Sequence, residues 1–390
     1  MFRISRFHEL MKALPRESFE KMVERHQTDK YSKGFTSWQH LVAMVYAQIS
    51  GAQGLRQTET GFNSAVAHHY HLGCKEIHRS TLSQANGKRK AEVFADTLRL
   101  LMSQVDRTLR RDCEQMLYLL DSTSITLKGK GFDEWTAQTR NRNTQGMKVH
   151  VLFNAHEQTP AQISMSAANV NDIDEGKKLE IEPGAMYVFD KGYCDYAWWH
   201  TIAQNKAQFV TRFKYNAALI VERAVPIDKA VADTVLSDEI VRFKHKQPRG
   251  KKRNPYEAPL RRITIARPDK DRPLVLATND LESPALTIGQ RYKDRWQIEL
   301  FFKWIKQHLN IKRFIGRSEN AVRIQILTAL IAYLLLALYK RTHGLSASLW
   351  GILGELRATL FTRPHIEVMR YRRRREEQAE FALRQPGLFA

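Results

Sequence analysis

Two short apolar runs, residues 116–120 and 185–189, each lead straight into an aspartate: Asp121 in YLLDSTS and Asp190 in YVFDKGY. Runs of this length and composition read as buried strands. Stretches 149–154, 162–168, 208–213 and 274–278 read the same way. Residues 172–180 read as a short polar connection or helix, and 195–206 as a helix. Strands with helices between the later ones imply an α/β core. Aspartates closing neighbouring strands converge at one sheet edge, where open α/β sheets build active sites. A single aspartate after a strand usually caps the next element. Two of them in one context point to a metal site, and oxygen-only ligands suit Mg²⁺ or Mn²⁺.

A third carboxylate lies in LTIGQRYKDRWQIELFFKWIKQH, read as one long helix over about 286–309. At about 100° per residue, Tyr292, Arg295, Glu299, Lys303 and Lys306 share one stripe. Ile298, Leu300, Phe301, Trp304 and Ile305 lie on the other side, free to pack on the sheet. Glu299 with Lys303 is an ordinary i,i+4 pair on any solvated helix. The two upstream aspartates give it a different meaning. Three carboxylates with basic neighbours suit phosphoryl transfer on nucleic acid, with two divalent ions between them. Lys and Arg on the same face neutralise phosphates.

Charge agrees with that substrate. The 390 residues carry 62 Lys+Arg against 41 Asp+Glu, a net +21. A surplus that large favours a polyanionic partner. Three cysteines, Cys74, Cys113 and Cys194, lie far apart without a CxxC, which excludes a disulfide framework and a cysteine zinc site. The basic start lacks the apolar core of a signal peptide. The apolar run 326–339 is 14 residues long, short of the roughly 20 that a membrane span needs, and reads as a buried helix. These features predict a cytoplasmic protein with no membrane role.

Residues 1–113 read as an all-helical N-terminal DNA-binding domain. Around residue 80, Ser80 or Thr81 can cap a helix with Ser83, Gln84, Asn86 and Lys88 in its first turns, a pattern that suits groove reading as well as a plain solvated face. Residues 114–345 form the catalytic core, interrupted over 216–271 by a β-rich basic insertion. Its loop 244–253, with Lys251, Lys252 and Arg253, is expected on DNA phosphates. Residues 346–390 make a basic helical C-terminal region and tail. Lys148 and His150 fall on a candidate core strand near the site. His68, His69, His71 and Cys74 cluster without a second ligand pair and read as a polar loop.

The spacing Tyr292-x2-Arg295-x3-Glu299-x6-Lys306 resembles the Y-(2)-R-(3)-E-(6)-K signature of the insertion sequence 4 family of bacterial DDE transposases. Asp121 and Asp190 resemble the two aspartates of that family's triad. The resemblance covers about 115–345. It implies a ribonuclease H-like catalytic core and Mg²⁺- or Mn²⁺-dependent cut-and-paste transposition, with Asp121, Asp190 and Glu299 holding two ions. It further implies that Tyr292, Arg295, Lys303, Lys306 and Lys191 contact DNA. Relatives free a 3′-hydroxyl, form a hairpin on the transposon end, reopen it and join target double-stranded DNA as a homodimer. They stack a flipped base on a tryptophan in the insertion, whereas this chain has none between Trp199 and Trp296. Lys191 stands where many relatives carry Arg. The alternatives are a catalytically silent DNA-binding protein of the same fold and a nuclease without strand transfer. The implied setting is the bacterial cytoplasm, on the nucleoid.

The tail ends Gln385-Pro386-Gly387-Leu388-Phe389-Ala390. Gln385, Leu388 and Phe389 resemble the short motif by which bacterial proteins dock on the replication sliding clamp, Leu and Phe filling an apolar pocket.

Overall fold

The computed structural model describes residues 4–106, 115–141, 144–244, 254–268 and 271–362. They form two compact units. One takes residues 102–304; the other joins 1–101 with 305 onward. The chain therefore divides at other points than 113 and 345, because helices from both ends of the sequence pack together.

Among the described residues of the first unit, nine strands make one sheet. They are β1 (Leu117–Thr126), β2 (Gly146–Asn154), β3 (Thr159–Ala167), β4 (Met186–Phe189), β5 (Gln208–Arg212), β6 (Leu219–Ala224), β7 (Val235–Phe243), β8 (Leu260–Ile265) and β9 (Leu274–Thr278). The order is β3-β2-β1-β4-β5-β9-β8-β7-β6. β1, β2 and β3 form an antiparallel meander, and β4 and β5 run parallel to β1. The parallel step from β4 to β5 needs a crossover, supplied by the helix Tyr196–Gln204. Trp198 and Trp199 of that helix are buried against Phe189 and Phe209, with ring centroids 4.8 and 4.9 Å apart. Asp195 caps it, accepting from the Trp198 N–H.

β1 does not end at Asp121, contrary to the sequence expectation. It pairs with β4 only as far as Leu120 opposite Phe189, then continues six residues further along β2 alone. Partnership on one side is enough to keep the polar stretch Asp121–Thr126 extended. Gly146 opens β2 at φ +144°, and a Cβ there would collide with the Ile125 carbonyl.

Strands β6, β7 and β8 fall within 216–271, and β8 pairs with β9. The insertion thus extends the central sheet. The buried Arg261 guanidinium grips Asp238 across β7 and β8 with two bonds of 2.8 and 2.5 Å. The loop residues Lys251, Lys252 and Arg253 lie outside the described residues, as do Gln385, Leu388 and Phe389.

In the second unit the helix Ser37–Ser50 is buried along nearly its whole length. It packs on the helix Glu319–Thr342. That helix has 24 residues, longer than the expected run 326–339. Ser318 caps it by accepting from the Ala321 N–H, so it starts well before the apolar run begins. It is long and apolar enough to cross a membrane, yet most of it is buried inside this unit. Its Gln325 is fully buried and ties down the preceding loop: Nε2 donates to the Asn310 and Arg313 carbonyls, and Oε1 accepts from Ile315 N–H. His69 is buried, with Nε2 2.9 Å from the Phe62 carbonyl, and belongs to a short helix, not a loop.

Candidate active site

Asp121 and Asp190 are positioned by the sheet. They directly follow the register pair Leu120 and Phe189 on neighbouring parallel strands. Asp190 leaves the end of β4 and caps the turn Lys191–Tyr193, accepting from the Gly192 N–H. Its backbone carbonyl accepts from Thr211 of β5.

Glu299 arrives from a helix. The expected single helix is two, Ala285–Asp294 and Trp296–His308, with Arg295 at the junction. Bonds of the i→i+3 type, Arg295 N–H to Tyr292 O and Ile298 N–H to Arg295 O, tighten the chain there. The second helix buries Ile298, Phe301, Phe302 and Ile305 and exposes Trp296 and Leu300, so Leu300 leaves the packed side on which the sequence put it. A helix of regular pitch turns Leu300 only 100° from Glu299, which is enough to reach the rim of the buried stripe.

Arg295 joins the carboxylates. Its guanidinium donates to Glu299 Oε1 at 2.6 Å and to Asp121 Oδ2 at 3.4 Å. It also stands 5.8 Å from the centre of the Tyr292 ring. Burial works against its charge, but the bond to Glu299 and the charges of Tyr292, Glu299 and Asp121 hold its pKa above the usual arginine range. Burial pushes the Asp121 carboxyl up to about 6, and the charges of Asp190 and Glu299 add to the rise. The Ser122 N–H and Arg295 pull the other way. Asp121 is thus within electrostatic reach of both other carboxylates.

The remaining expected residues differ in burial and in partners. Tyr292 is buried, with its hydroxyl pKa raised by burial and by Asp190, against the pull of Arg295 and Arg212. Lys191 and Lys303 are exposed. Lys306 lies on the same helix as Glu299, seven residues on, beyond the point where the two units divide. Burial and Lys312 lower its pKa. Lys148 is spent on an ion pair with Asp172 at 3.0 Å and a bond to the Val170 carbonyl. His150 is buried against Ser166 at 2.7 Å.

Sequence reasoning missed Asp172, Ser122 and Tyr193. Ser122 Oγ donates to Asp172 Oδ1 at 2.8 Å. The buried Tyr193 hydroxyl has no hydrogen-bond partner among the described residues. Burial raises its pKa, with the charges of Asp172, Asp121 and Asp190 adding to it. Asp172 sits in a short helix within the polar connection and follows no apolar run, so only the fold brings it here.

The donor set is hard carboxylate oxygen, as Mg²⁺ and Mn²⁺ require. Burial is the main cause of the raised Asp121 pKa, and the nearby charges of Asp190 and Glu299 add to it. The donor types, though not their present arrangement, suit a divalent cation. As the side chains stand, no group of three His, Cys, Asp or Glu among the described residues is close enough to share one ion.

Residues 113–335, more than half of the chain, match the transposase DDE domain family, and residues 3–75 match a domain of unknown function. A protein of Sinorhizobium fredii named as transposase y4zB is 46% identical over 68% of this chain and 72% of its own length. A protein of Geobacillus stearothermophilus, named as the transposase for insertion sequence element IS5377, is 29% identical over 69% of this chain and 70% of its own. The solved synaptic complex of piggyBac transposase with hairpin DNA overlays with a TM-score of 0.45 at 10% identity, covering 90% of this chain and 77% of that one. That likeness is too remote to bear on the chemistry. The chain belongs to the transposase DDE domain family. Within it, the Y-x2-R-x3-E-x6-K spacing and the relatives named for insertion sequence elements make it a DNA transposase of the insertion sequence 4 family.

Proposed function

We propose that this transposase moves its element by cut-and-paste, with Asp121, Asp190 and Glu299 as the metal ligands and catalytic residues. The observation that carries this reading is Arg295 joined to both Asp121 and Glu299, which ties a strand carboxylate to a helix carboxylate 178 residues away in sequence, beside Asp190. Five strands, β3-β2-β1-β4-β5, support a ribonuclease H-like core.

Two divalent ions, Mg²⁺ or Mn²⁺, would supply an activated water or 3′-hydroxyl and stabilise the leaving oxygen. The chain's own residues do the rest. Burial of Asp121 keeps water scarce around the reacting phosphate and strengthens every charge there. Arg295 is a guanidinium that already sits among carboxylates, so it is placed to turn a fork of donors onto a phosphate. Tyr292 accompanies Arg295 toward the DNA, its ring centre 5.8 Å from the guanidinium. Lys191, Lys303 and Lys306 neutralise neighbouring phosphates as point charges. The second strand is cut through a hairpin on the transposon end, and a homodimer joins the end to target duplex in the bacterial cytoplasm. The tail, through Gln385, Leu388 and Phe389, contacts the replication sliding clamp.

Asp121→Asn, Asp190→Asn and Glu299→Gln each abolish Mg²⁺-dependent cleavage of a duplex carrying the element's end and leave end binding within about twofold. Unimpaired cleavage by any one variant refutes the assignment. Binding without cleavage by the unaltered protein makes it a silent DNA-binding protein; cut product with no joined product makes it a nuclease.

A further inference from the structure

The helical unit holds a cleft of about 900 Å³ that the catalytic centre does not use. One wall is the loop 27–35, and the other is the helix Arg79–Lys88. Lys30, Lys33, Lys75, Lys88 and Arg89 line it against a single carboxylate, Glu76. Four of these cations, Lys30, Lys33, Lys75 and Lys88, have no ion pair among the described residues.

Arg89 has a different task. Its guanidinium donates to the Thr36 carbonyl at 3.1 Å and the Phe35 carbonyl at 2.7 Å, and pairs with Asp29 at 3.4 Å. Asp29 in turn accepts from the Ser37 N–H and hydroxyl. Ser32 closes the loop by donating to the Phe35 carbonyl. The loop is riveted to the end of the helix, so its lysines are presented with little ordering left to do on binding.

The helix Arg79–Lys88 turns two faces to different uses. Leu82 and Asn86 are buried, with Asn86 Oδ1 2.8 Å from His40 Nε2. Asn86 is therefore a core residue and not the groove-reading residue that sequence alone allows. Thr81, Gln84 and Lys88, three and four residues apart, face the cleft. At the rim stands Tyr31, 87% exposed, with the Lys30 ammonium 5.8 Å from its ring.

A single phosphate would be met by converging donors. Here the lysines are spread over both walls of an open groove, as a chain of phosphates demands. An exposed aromatic among them offers a face to a deoxyribose of the backbone. We infer that this cleft is a DNA-backbone site: a strand of duplex runs along it, its phosphates on Lys30, Lys33, Lys75 and Lys88 and a sugar against Tyr31. The inference rests on the transposase reading and gives a role to the segment matching the domain of unknown function.

The test uses the full chain in EDTA and a fluorescein-labelled duplex of the element's own terminus, with binding followed by anisotropy over a range of salt. Each lost phosphate contact lowers the slope of log K against log salt by about 0.9, so replacing all four lysines by alanine lowers it by roughly 3–4. A fall of two or more supports the site, and a smaller fall overturns it. The same four positions changed to arginine keep the slope, which separates lost charge from lost fold. Tyr31→Ala weakens binding with the slope unchanged, because a sugar contact is lost and no phosphate contact. Cleavage by the unaltered protein in Mg²⁺ is scored separately. If cleavage stands while the slope does not move, the cleft falls and the transposase reading survives.

Discussion

Asp121→Asn is expected to stabilise the metal-free protein while it destroys catalysis. In the fold the Asp121 carboxyl rises from 3.8 to about 6, first through burial and then through Asp190 and Glu299. A raised carboxyl pKa means that the folded chain holds a proton which the unfolded chain has released. Stability therefore falls as pH climbs from about 3.8 to about 6, and the loss is complete above that window. The change corresponds to about 3 kcal/mol, trimmed to roughly 2–3 because the side chain is 23% exposed. Asparagine keeps the oxygen that accepts from the Ser122 N–H and carries no charge to desolvate. For a unit of about 200 residues that gain raises the midpoint by roughly 4–12 °C. Calorimetry in EDTA at pH 7.5 and pH 4 measures it. The variant melts higher at the first pH, and the two proteins converge at the second. Added Mg²⁺ then stabilises the unaltered protein more than the variant, by mass action. A variant no more stable than the parent at pH 7.5 in EDTA refutes the claim that Asp121 is held under electrostatic stress.

Lys306→Ala is expected to reduce the salt slope of end binding by about 1 and to leave the melting midpoint within about 1 °C, because one phosphate contact is lost and no core atom is. An unchanged slope removes Lys306 from the DNA interface. Leu388→Ala combined with Phe389→Ala is expected to weaken binding to purified sliding clamp at least tenfold, since the two side chains supply the apolar anchor. Equal binding by both proteins, read by surface plasmon resonance, ends the clamp proposal.

Much of the local structure around these residues is legible in the sequence. Short apolar runs are legible as strands because burial on both faces forces near-continuous hydrophobicity. The 3-4 spacing of Tyr292, Arg295 and Glu299 is legible because local helix pitch sets it. The break of the helix at Arg295 was not, since the residue keeps helical dihedrals and no proline or glycine marks the junction. Asp172, Ser122 and Tyr193 were not either. Ser122 is the chain neighbour of Asp121, but its bond to Asp172, and the closeness of Tyr193 to these carboxylates, come only from the fold.

Taken alone, the order of residues determined the local things: which segments are strands, which face of its helix bears Glu299, and that the partner is a polyanion. The tertiary structure decided which charges meet. Arg295 could have paired only with its i+4 neighbour Glu299; the sheet register brings Asp121 to its other side. Asn86 could have read a groove; packing against His40 buried it and left Gln84 and Lys88 to face the cleft. The physical reason is range. Periodicity and capping act within a few residues and leave a mark in every window of sequence. Electrostatic pairing and burial act between segments a hundred or more residues apart, and only the closed fold sets those distances.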